Sequence, residues 1–182
     1  MTLPQWIAVA LVFIRVGEVI HAERNARRLL ADGGHSVGDG HYPAIIGLHA
    51  GWLFTLWWAG RDLPEPDWFL FSLFVLLEGA RLWVVATLGR FWTTRIITVP
   101  GMPLVRSGPY KWARHPNYLI VALEVPLLLY AFEAPGLAVI FGTANILLLT
   151  HRIRVEEEAL RPRRAELSSA APTLDDETRH QA

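Results

Sequence analysis

The sequence predicts an all-α integral membrane protein with five transmembrane helices. Two observations carry this prediction: the apolar stretches are long enough to cross a bilayer, and the loops between them alternate in charge. A crossing helix needs roughly 20 mostly apolar residues, and hydrophobic residues make up 52% of the 182-residue chain, more than in an ordinary soluble domain. Suitable stretches occupy residues 3–23, 43–60 and 68–88. A longer one, 118–150, is broken by a Pro-Gly turn signal at 132–136, so it predicts two short helices in a hairpin.

The basic residues of the loops give the predicted orientation. Loop 24–42 holds three arginines, and loop 89–117 holds five arginines and lysines. Loop 61–67 has one arginine against three acids, and the turn between the last two helices has no basic residue. Six arginines follow residue 151. Because cytoplasmic loops are enriched in arginine and lysine, the pattern predicts an N-terminus outside and a cytoplasmic C-terminus. A soluble helical bundle is the alternative fold.

The composition indicates one domain and excludes several kinds of site. Residues 1–160 contain all the predicted spans, whereas residues 161–182 are polar and lack periodicity, which predicts a disordered tail. Without cysteine the chain has no disulfide, thiolate metal site or cysteine nucleophile, and we expect no metal site. A net charge of zero gives no indication of nucleic-acid binding. The glycine-rich loop 31–43 lacks the fingerprints of soluble nucleotide-binding proteins.

Several ionisable residues lie inside the predicted spans. Each costs at least about 3 kcal/mol in a bilayer and therefore marks a candidate site whose partner has to be found. In chain order they are Arg15, Glu18, His21, His49, Glu78, Arg81 and Glu124. Steps of three residues place the first three on one helix face, and they place Glu78 beside Arg81 on another. Such pairs either fix helix packing or belong to a reaction site, and both interpretations stay open.

A second group of ionisable residues follows the last predicted span. Arg152 and Arg154 could anchor a helix at the lipid headgroups, but anchoring does not explain the three carboxylates at 156–158. The basic loop 90–114 is predicted on the same side of the membrane. Acidic and basic groups together suit a zwitterionic or cationic ligand. We therefore interpret the chain as a membrane enzyme that works at the cytoplasmic interface.

Three motifs give a resemblance to a known family. Gly-Pro-Tyr at 108–110, Arg-His-Pro-Asn-Tyr at 114–118 and an Arg-x-x-x-Glu-Glu run that begins at Arg152 resemble the isoprenylcysteine carboxyl methyltransferase family. Members of that family are integral membrane enzymes that use S-adenosylmethionine. Residues 17–53 are similar to a bacterial branch that O-methylates long-chain alkylpyrones and alkylresorcinols. Residues 161–172 lack the aromatic pattern with which prenylcysteine enzymes continue, and this favours the phenolic-lipid branch.

The resemblance implies a cofactor site built from the loop motifs and the acidic run. The residues implied in binding S-adenosylmethionine are Gly108, Pro109, Tyr110, His115, Pro116, Tyr118, Glu156 and Glu157. Pro116 can begin a helix at its first turn, where its missing N–H is not needed. The same proline disfavours a helical conformation of His115, so that the His115 ring can turn toward a ligand.

The resemblance also implies residues near the methyl acceptor. Arg81 and Arg152 match positions where the family places arginines, and there they would stabilise an oxyanion. A hydroxypyrone arrives ionised, whereas a resorcinol hydroxyl would benefit from a general base. Candidates for this base are His49, His115 and Glu124. The implied acceptor is a lipophilic small molecule that enters from the bilayer.

The predicted function is an S-adenosylmethionine-dependent O-methyltransferase in the bacterial inner membrane, multi-pass, with its active site toward the cytoplasm. Its expected partners are membrane lipids and a lipophilic substrate, not nucleic acid, and its oligomeric state is left open. Methylation of a prenylcysteine-like carboxylate or of a phospholipid amine is the alternative within the same fold. A small transporter or scaffold is the alternative without chemistry, although no inverted repeat of the kind common in transporters is visible.

Overall fold

A computed structural model describes residues 1–38, 40, 42–102 and 104–169, with side chains as far as residue 162. Five helices account for most of this chain, as the sequence predicts. They are α1 (Leu3–Ala31), α2 (Tyr42–Ala59), α3 (Trp68–Leu88), α4 (Pro116–Ala131) and α5 (Pro135–Ser169). The predicted hairpin of the last two helices is confirmed, because only residues 132–134 separate α4 from α5 and the two helices pack together.

Helix α3 begins and ends where the sequence predicts. The Asp67 side chain accepts hydrogen bonds from the backbone N–H groups of Phe69, at 2.9 Å, and Leu70, at 3.1 Å. These bonds satisfy two of the amides that a helix start leaves without a partner. At the other end Gly89 has a φ of +50°, which other residues rarely adopt, and the helix stops there.

Helices α1 and α5 are longer than predicted. Helix α1 continues to Ala31, past the predicted end of its span at residue 23, and α5 continues to Ser169. Both extensions are rich in Arg, Ala and Leu, which are strong helix formers, and extending an existing helix needs no new nucleus. Helix α5 therefore extends into the predicted polar tail, through its residues 161–169. The rest of the tail, 170–182, lies outside the described residues.

Three of the helices have the length and composition of membrane-spanning segments. Three described segments are long and apolar enough to cross a membrane: Leu3–Ala31, Trp68–Phe91 and Pro135–Pro162. Helix α4 is apolar but shorter. Large apolar side chains are exposed on the outside of the bundle, among them Phe13, Leu76, Ile140 and Leu147. Such a surface suits contact with lipid chains. The number of five crossings and their direction stay predictions.

Two short strands connect the loops at one end of the bundle. β1 (His35–Val37) and β2 (Ile96–Thr98) pair in antiparallel fashion. Gly34 precedes β1 at a close approach, because a Cβ there would lie 2.6 Å from the Leu29 carbonyl oxygen. The all-α prediction omits this pair of strands, since strands of three residues show too little alternation to be recognised. The strands belong to the loop end of the bundle, where α1 and α3 end and α4 begins.

The helices enclose two apolar clusters and one gap. Helix α4 packs against α3 and α5, and α2 packs against α1 and α5. The main core lies among these helices, and its largest fully buried side chains are Trp52, Leu56, Leu128, Leu129 and Phe132. A smaller cluster of Ala22, Val84, Trp92 and Ile120 involves α1, α3, α4 and the turn after α3. The backbone of α1 approaches α2 more closely than α3 or α4, which leaves a gap that side chains fill, Ala22 among them. Long charged side chains span that gap.

Candidate functional site

A pocket of about 670 Å³ opens at the loop end of the bundle. Its walls come from the segment after α3, the 3-10 turn Gly108–Lys111, the start of α4 and the last described turns of α5. The lining residues that the sequence predicted for a site are Tyr110, His115, Tyr118, Arg152 and Glu156. The two loop motifs within 108–118 and the α5 run that begins at Arg152 are far apart along the chain, and they meet at this pocket.

One wall of the pocket is a chain of polar contacts between α4 and α5. The Tyr118 hydroxyl donates a hydrogen bond to Glu156 and accepts one from Arg152 Nε at 2.8 Å. His115 Nε2 lies 2.6 Å from Glu157 Oε1, and its Nδ1 lies 3.5 Å from Glu156 Oε1. The His115 and Tyr118 rings stack with their centroids 5.4 Å apart. This contact chain fixes the orientation of the Glu156 carboxylate.

Helix geometry explains why these side chains meet. Arg152 and Glu156 are four residues apart on α5 and therefore share a face. Pro116 is the first residue of α4, as predicted, and His115 before it is outside the helix with a φ of −132°. Tyr118 follows in the first turn of the same helix. The join between loop and helix thus presents two rings to the α5 face that carries Glu156.

Arg152 is held at the pocket from two directions. Its Nη2 donates to the Thr94 carbonyl oxygen at 2.6 Å, and its guanidinium carbon lies 5.7 Å from the centroid of the Tyr118 ring. Only 8% of the residue is exposed. A guanidinium stays charged at every ordinary pH. The residue therefore offers a fixed positive charge at the pocket wall, beside the Glu156 carboxylate.

Positive charges outnumber negative ones on the pocket wall. The basic residues that line it are Arg95, Arg106, Lys111, Arg114 and Arg152. Among the described lining residues, Glu156 is the single acid. A wall of this composition attracts anionic groups and keeps one acidic position for a cationic group.

His115 and Tyr110, in the loop that forms part of this wall, have shifted pKa values. The hydrogen bond to Glu156 raises the pKa of His115; partial burial opposes this shift, and the contact with Glu157 adds to it. Burial raises the pKa of Tyr110, with a smaller contribution from Glu156. We therefore expect Tyr110 to be a neutral phenol and His115 to hold its proton longer than an exposed histidine.

We expect the His115 contacts to stabilise the protein more at low pH than at high pH. A histidine whose pKa is raised by folding contributes stability below its unfolded pKa of about 6.5 and loses it as pH rises through the raised value. Melting temperatures of wild type and His115→Gln should differ most near about pH 6 and converge toward about pH 9. When Glu156→Gln and Glu157→Gln are also present, His115→Gln should have the same effect at each pH. A constant difference in the wild-type background would contradict the charged contact.

The Gly-Pro-Tyr motif is positioned by close packing against α3. Gly108 has a φ of +55°, and a Cβ at this position would lie 2.7 Å from Thr87 Oγ1. Glycine is therefore required both by conformation and by space. Pro109 is buried, and Tyr110 lines the pocket. Four predicted cofactor residues do not line the pocket themselves: Gly108, Pro109, Pro116 and Glu157. They position the residues that do.

A second cluster of charges lies inside the bundle, in the gap beside α1. Arg81 donates two hydrogen bonds to Glu18, at 2.8 and 3.0 Å, and one to Glu124 at 3.3 Å. Arg15 contacts Glu124, Glu18 at 2.9 Å and also Glu78 at 2.5 Å. These five residues form the interior charge network, which joins α1, α3 and α4. Glu78 and Arg81 of α3 both pair with residues of α1, and Arg81 also pairs with Glu124 of α4.

The interior charge network holds two of the predicted catalytic residues. Arg81 is 7% exposed and Glu124 is fully buried, and neither lines the pocket. His49 is also absent from the pocket wall; its Nδ1 donates to the Ile45 carbonyl oxygen at 3.0 Å, and its ring meets Trp52 edge-on. Of the four predicted catalytic residues, Arg152 alone lines the pocket. A catalytic role for the other three stays a prediction.

Two polar side chains at the pocket were not predicted from the sequence. Trp92 and Asn117 line the pocket, and each has a buried polar atom with no hydrogen-bond partner in the described chain. Asn117 lies inside the Arg-His-Pro-Asn-Tyr motif, so the motif could have predicted its place at the site. Trp92 is one of eight tryptophans, and nothing in the sequence separates it from those expected at the membrane surfaces.

The part of the chain that builds the pocket also matches a known family. A model described as "Isoprenylcysteine carboxyl methyltransferase (ICMT) family" matches residues 70–162, which is half of the chain. The chain belongs to this family. A Bacillus subtilis (strain 168) protein described as "Uncharacterized protein YpbQ" is 35% identical to this ICMT-family chain over 162 residues, covering 85% of the chain and 95% of the relative. No solved structure matches it.

Membership of the ICMT family gives the coarse function. The family is one of methyltransferases, and it implies dependence on S-adenosylmethionine. Together with the apolar helices, membership also makes the chain an integral membrane protein. The matched region contains all three motifs and most of the pocket wall. It therefore includes the residues that a methyl-transfer site would use.

Proposed function

We propose that this ICMT-family protein transfers a methyl group from S-adenosylmethionine to an anionic oxygen of a lipophilic acceptor. In its most specific form the proposal names the ring hydroxyl of a long-chain alkylpyrone or alkylresorcinol. The supporting observation is the composition of the pocket wall. A single carboxylate, Glu156, is oriented by Tyr118 and His115 and lies among five basic side chains.

The pocket fits S-adenosylmethionine in size and in chemistry. Its volume of about 670 Å³ lies within the roughly 300–1,000 Å³ of small-molecule sites. The cofactor carries an ammonium and a carboxylate on the same end. Glu156 can accept from the ammonium or from ribose hydroxyls, and Arg106 or Arg114 can bind the carboxylate. The unpartnered atoms of Trp92 and Asn117 provide further contacts for a ligand.

The protein's own contribution to methyl transfer is alignment and control of charge. S-adenosylmethionine, when bound, supplies an electrophilic methyl group on a positively charged sulfur. Tyr118 and His115 hold Glu156 in one orientation, which fixes one end of the site. Arg152 is immobilised by Tyr118 and Thr94, so its charge is in place before an acceptor binds. A preorganised guanidinium of this kind can hold an acceptor oxygen in its ionised form.

The basic wall favours an acceptor that arrives as an anion. A hydroxypyrone oxygen or a carboxylate has the complementary charge, whereas a protonated phospholipid amine has the wrong one. The apolar outer surface would let a long alkyl chain remain in the bilayer while the head group occupies the pocket. A prenylcysteine-like carboxylate is the second candidate, and it is favoured by the family match itself.

An anionic acceptor reduces the need for a general base. Of the three base candidates, His115 is the one on the pocket wall, and both of its ring nitrogens face carboxylates. Both Arg15 and Arg81 contact the Glu124 carboxylate. One ring nitrogen of His49 donates to the Ile45 carbonyl oxygen. The proposal therefore assigns no base for a hydroxypyrone.

A methyl-transfer assay with the purified full chain tests the proposal. The chain would be supplied with methyl-labelled S-adenosylmethionine and, separately, with an alkylpyrone, an alkylresorcinol, a prenylcysteine and phosphatidylethanolamine. We expect label in the alkylpyrone and, as pH rises, in the alkylresorcinol. If only prenylcysteine or only phosphatidylethanolamine becomes labelled, the proposed acceptor is wrong but the methyltransferase activity is supported. Failure to bind S-adenosylmethionine or S-adenosylhomocysteine in calorimetry would refute the whole proposal.

A further inference from the structure

Two buried atoms on the pocket wall have hydrogen-bonding capacity that the described chain does not use. Trp92 is 4% exposed, and its indole Nε1 can only donate. The Asn117 side-chain oxygen Oδ1 is buried and can only accept. Unsatisfied buried polar groups are uncommon in folded proteins and require an explanation. A bound ligand that pairs with both atoms is such an explanation.

Position in the fold separates these two atoms from the other unpartnered ones. Buried side-chain atoms without a partner also occur at Arg15 Nε and Trp52 Nε1 in the described chain. Neither of those residues lines the pocket, whereas Trp92 and Asn117 both do. The residues that carry the unsatisfied donor and the unsatisfied acceptor therefore border the same pocket.

Trp92 is fixed by contacts that do not involve its indole N–H. Its backbone carbonyl accepts a hydrogen bond from Asn25 Nδ2 at 2.9 Å. Its side chain belongs to the apolar cluster with Ala22, Val84 and Ile120. The fold thus orients the indole before any ligand binds, and a preorganised donor binds with little loss of freedom.

Asn117 is fixed by the start of α4. It is the second residue of the helix, directly after Pro116. His115, two residues before it, and Tyr118, directly after it, both contact Glu156. The first turn of α4 is therefore tied to α5, and the Asn117 amide lies on a rigid part of the wall.

A heteroaromatic ring with an acceptor and a donor on its edge would satisfy both atoms: its acceptor would pair with Trp92 Nε1, and its donor with Asn117 Oδ1. Phe91 and Tyr110 line the same pocket and offer ring faces for stacking. The adenine of S-adenosylmethionine has ring nitrogens that accept and an exocyclic amine that donates. We infer that Trp92 donates to a ring nitrogen of adenine and that Asn117 accepts from its amine. This inference rests on the proposed function.

The affinities of two ligands that differ only in their purine base test the inference. Calorimetry would compare S-adenosylhomocysteine with S-inosylhomocysteine, in which a carbonyl oxygen replaces the amine. Wild type should bind the adenosyl compound at least about 10-fold more tightly. Asn117→Leu should reduce this preference, and Asn117→Asp, which keeps an oxygen acceptor, should retain it. Trp92→Phe keeps an aromatic ring but loses the indole N–H, so it should weaken binding of the adenosyl compound about 5- to 10-fold.

The ratio of the two affinities distinguishes the loss of a contact with the purine base from a general distortion of the pocket. A distorted pocket would weaken both compounds alike and leave their ratio unchanged. Trp83→Phe is the matched control, because Trp83 is 47% exposed and does not line the pocket. Wild type that binds neither compound would refute the proposed function. Wild type that binds, with an unaltered ratio in Asn117→Leu and unaltered affinity in Trp92→Phe, would refute this inference alone.

Discussion

Replacing Arg81 with methionine should destabilise the protein by about 3–5 kcal/mol. The substitution removes two hydrogen bonds from Glu18 and one from Glu124, inside a bundle where water cannot replace them. For a chain of this size the loss corresponds to a melting temperature lower by about 10 °C. Thermal unfolding of wild type and variant in the same detergent measures it.

A surface arginine gives the control for this prediction. Arg27 is 78% exposed on its side chain and pairs with Glu23 four residues earlier on the same helix. Exposed pairs contribute little, because water and salt screen them, so Arg27→Met should change stability by less than about 1 kcal/mol. Equal melting temperatures for Arg81→Met and wild type would contradict the interior charge network.

A second substitution separates packing from catalysis at Arg81. Adding Glu18→Gln to Arg81→Met removes the carboxylate that lost most of its contacts, so part of the stability should return. If Arg81 acts through packing, methyl transfer should return together with stability. If Arg81 holds the acceptor oxyanion, as the family resemblance implies, stability should return and methyl transfer should not. The double variant thus decides a role that sequence and geometry assign differently.

The two ends of α3, the start of α4 and the pocket motifs could be predicted because their causes are local. Asp67 caps α3 and Gly89 ends it, and both residues are visible in the sequence. Pro116 begins α4, which places His115 and Tyr118 at one join between loop and helix. The four-residue step from Arg152 to Glu156 places both on one face of α5. None of these conclusions depends on how the helices pack.

The partners inside the bundle could not be predicted, because they depend on packing between distant segments. The three-residue step correctly places Glu18 next to Arg15, at 2.9 Å. Nothing local shows that Glu124, 109 residues away, reaches the same guanidinium. The pairing of Glu78 with Arg15 rather than Arg81 has the same cause. The sequence alone therefore does not show which partner an ionisable residue in a span has, because the partner depends on the helix arrangement.

Replacing Glu156 with glutamine should weaken binding of S-adenosylhomocysteine about 10- to 100-fold. The substitution keeps the size of the side chain and removes its charge. The Tyr118 hydroxyl and the His115 ring lose the carboxylate that they orient, and the proposed contact to the cofactor ammonium loses its attraction. Calorimetric titration of wild type and variant measures the change, and an unaltered affinity would remove Glu156 from the cofactor site.

The neighbouring carboxylates provide a graded control on the same helix. Successive residues of an α-helix are turned by about 100°, so 156, 157 and 158 point in three directions. Glu157 does not line the pocket but contacts His115 at 2.6 Å, so Glu157→Gln should weaken binding less than Glu156→Gln. Glu158 is exposed, and Glu158→Gln should have no effect. Equal losses in all three variants would indicate that only overall negative charge matters, whereas the graded order would show that binding depends on the α5 face shared with Arg152.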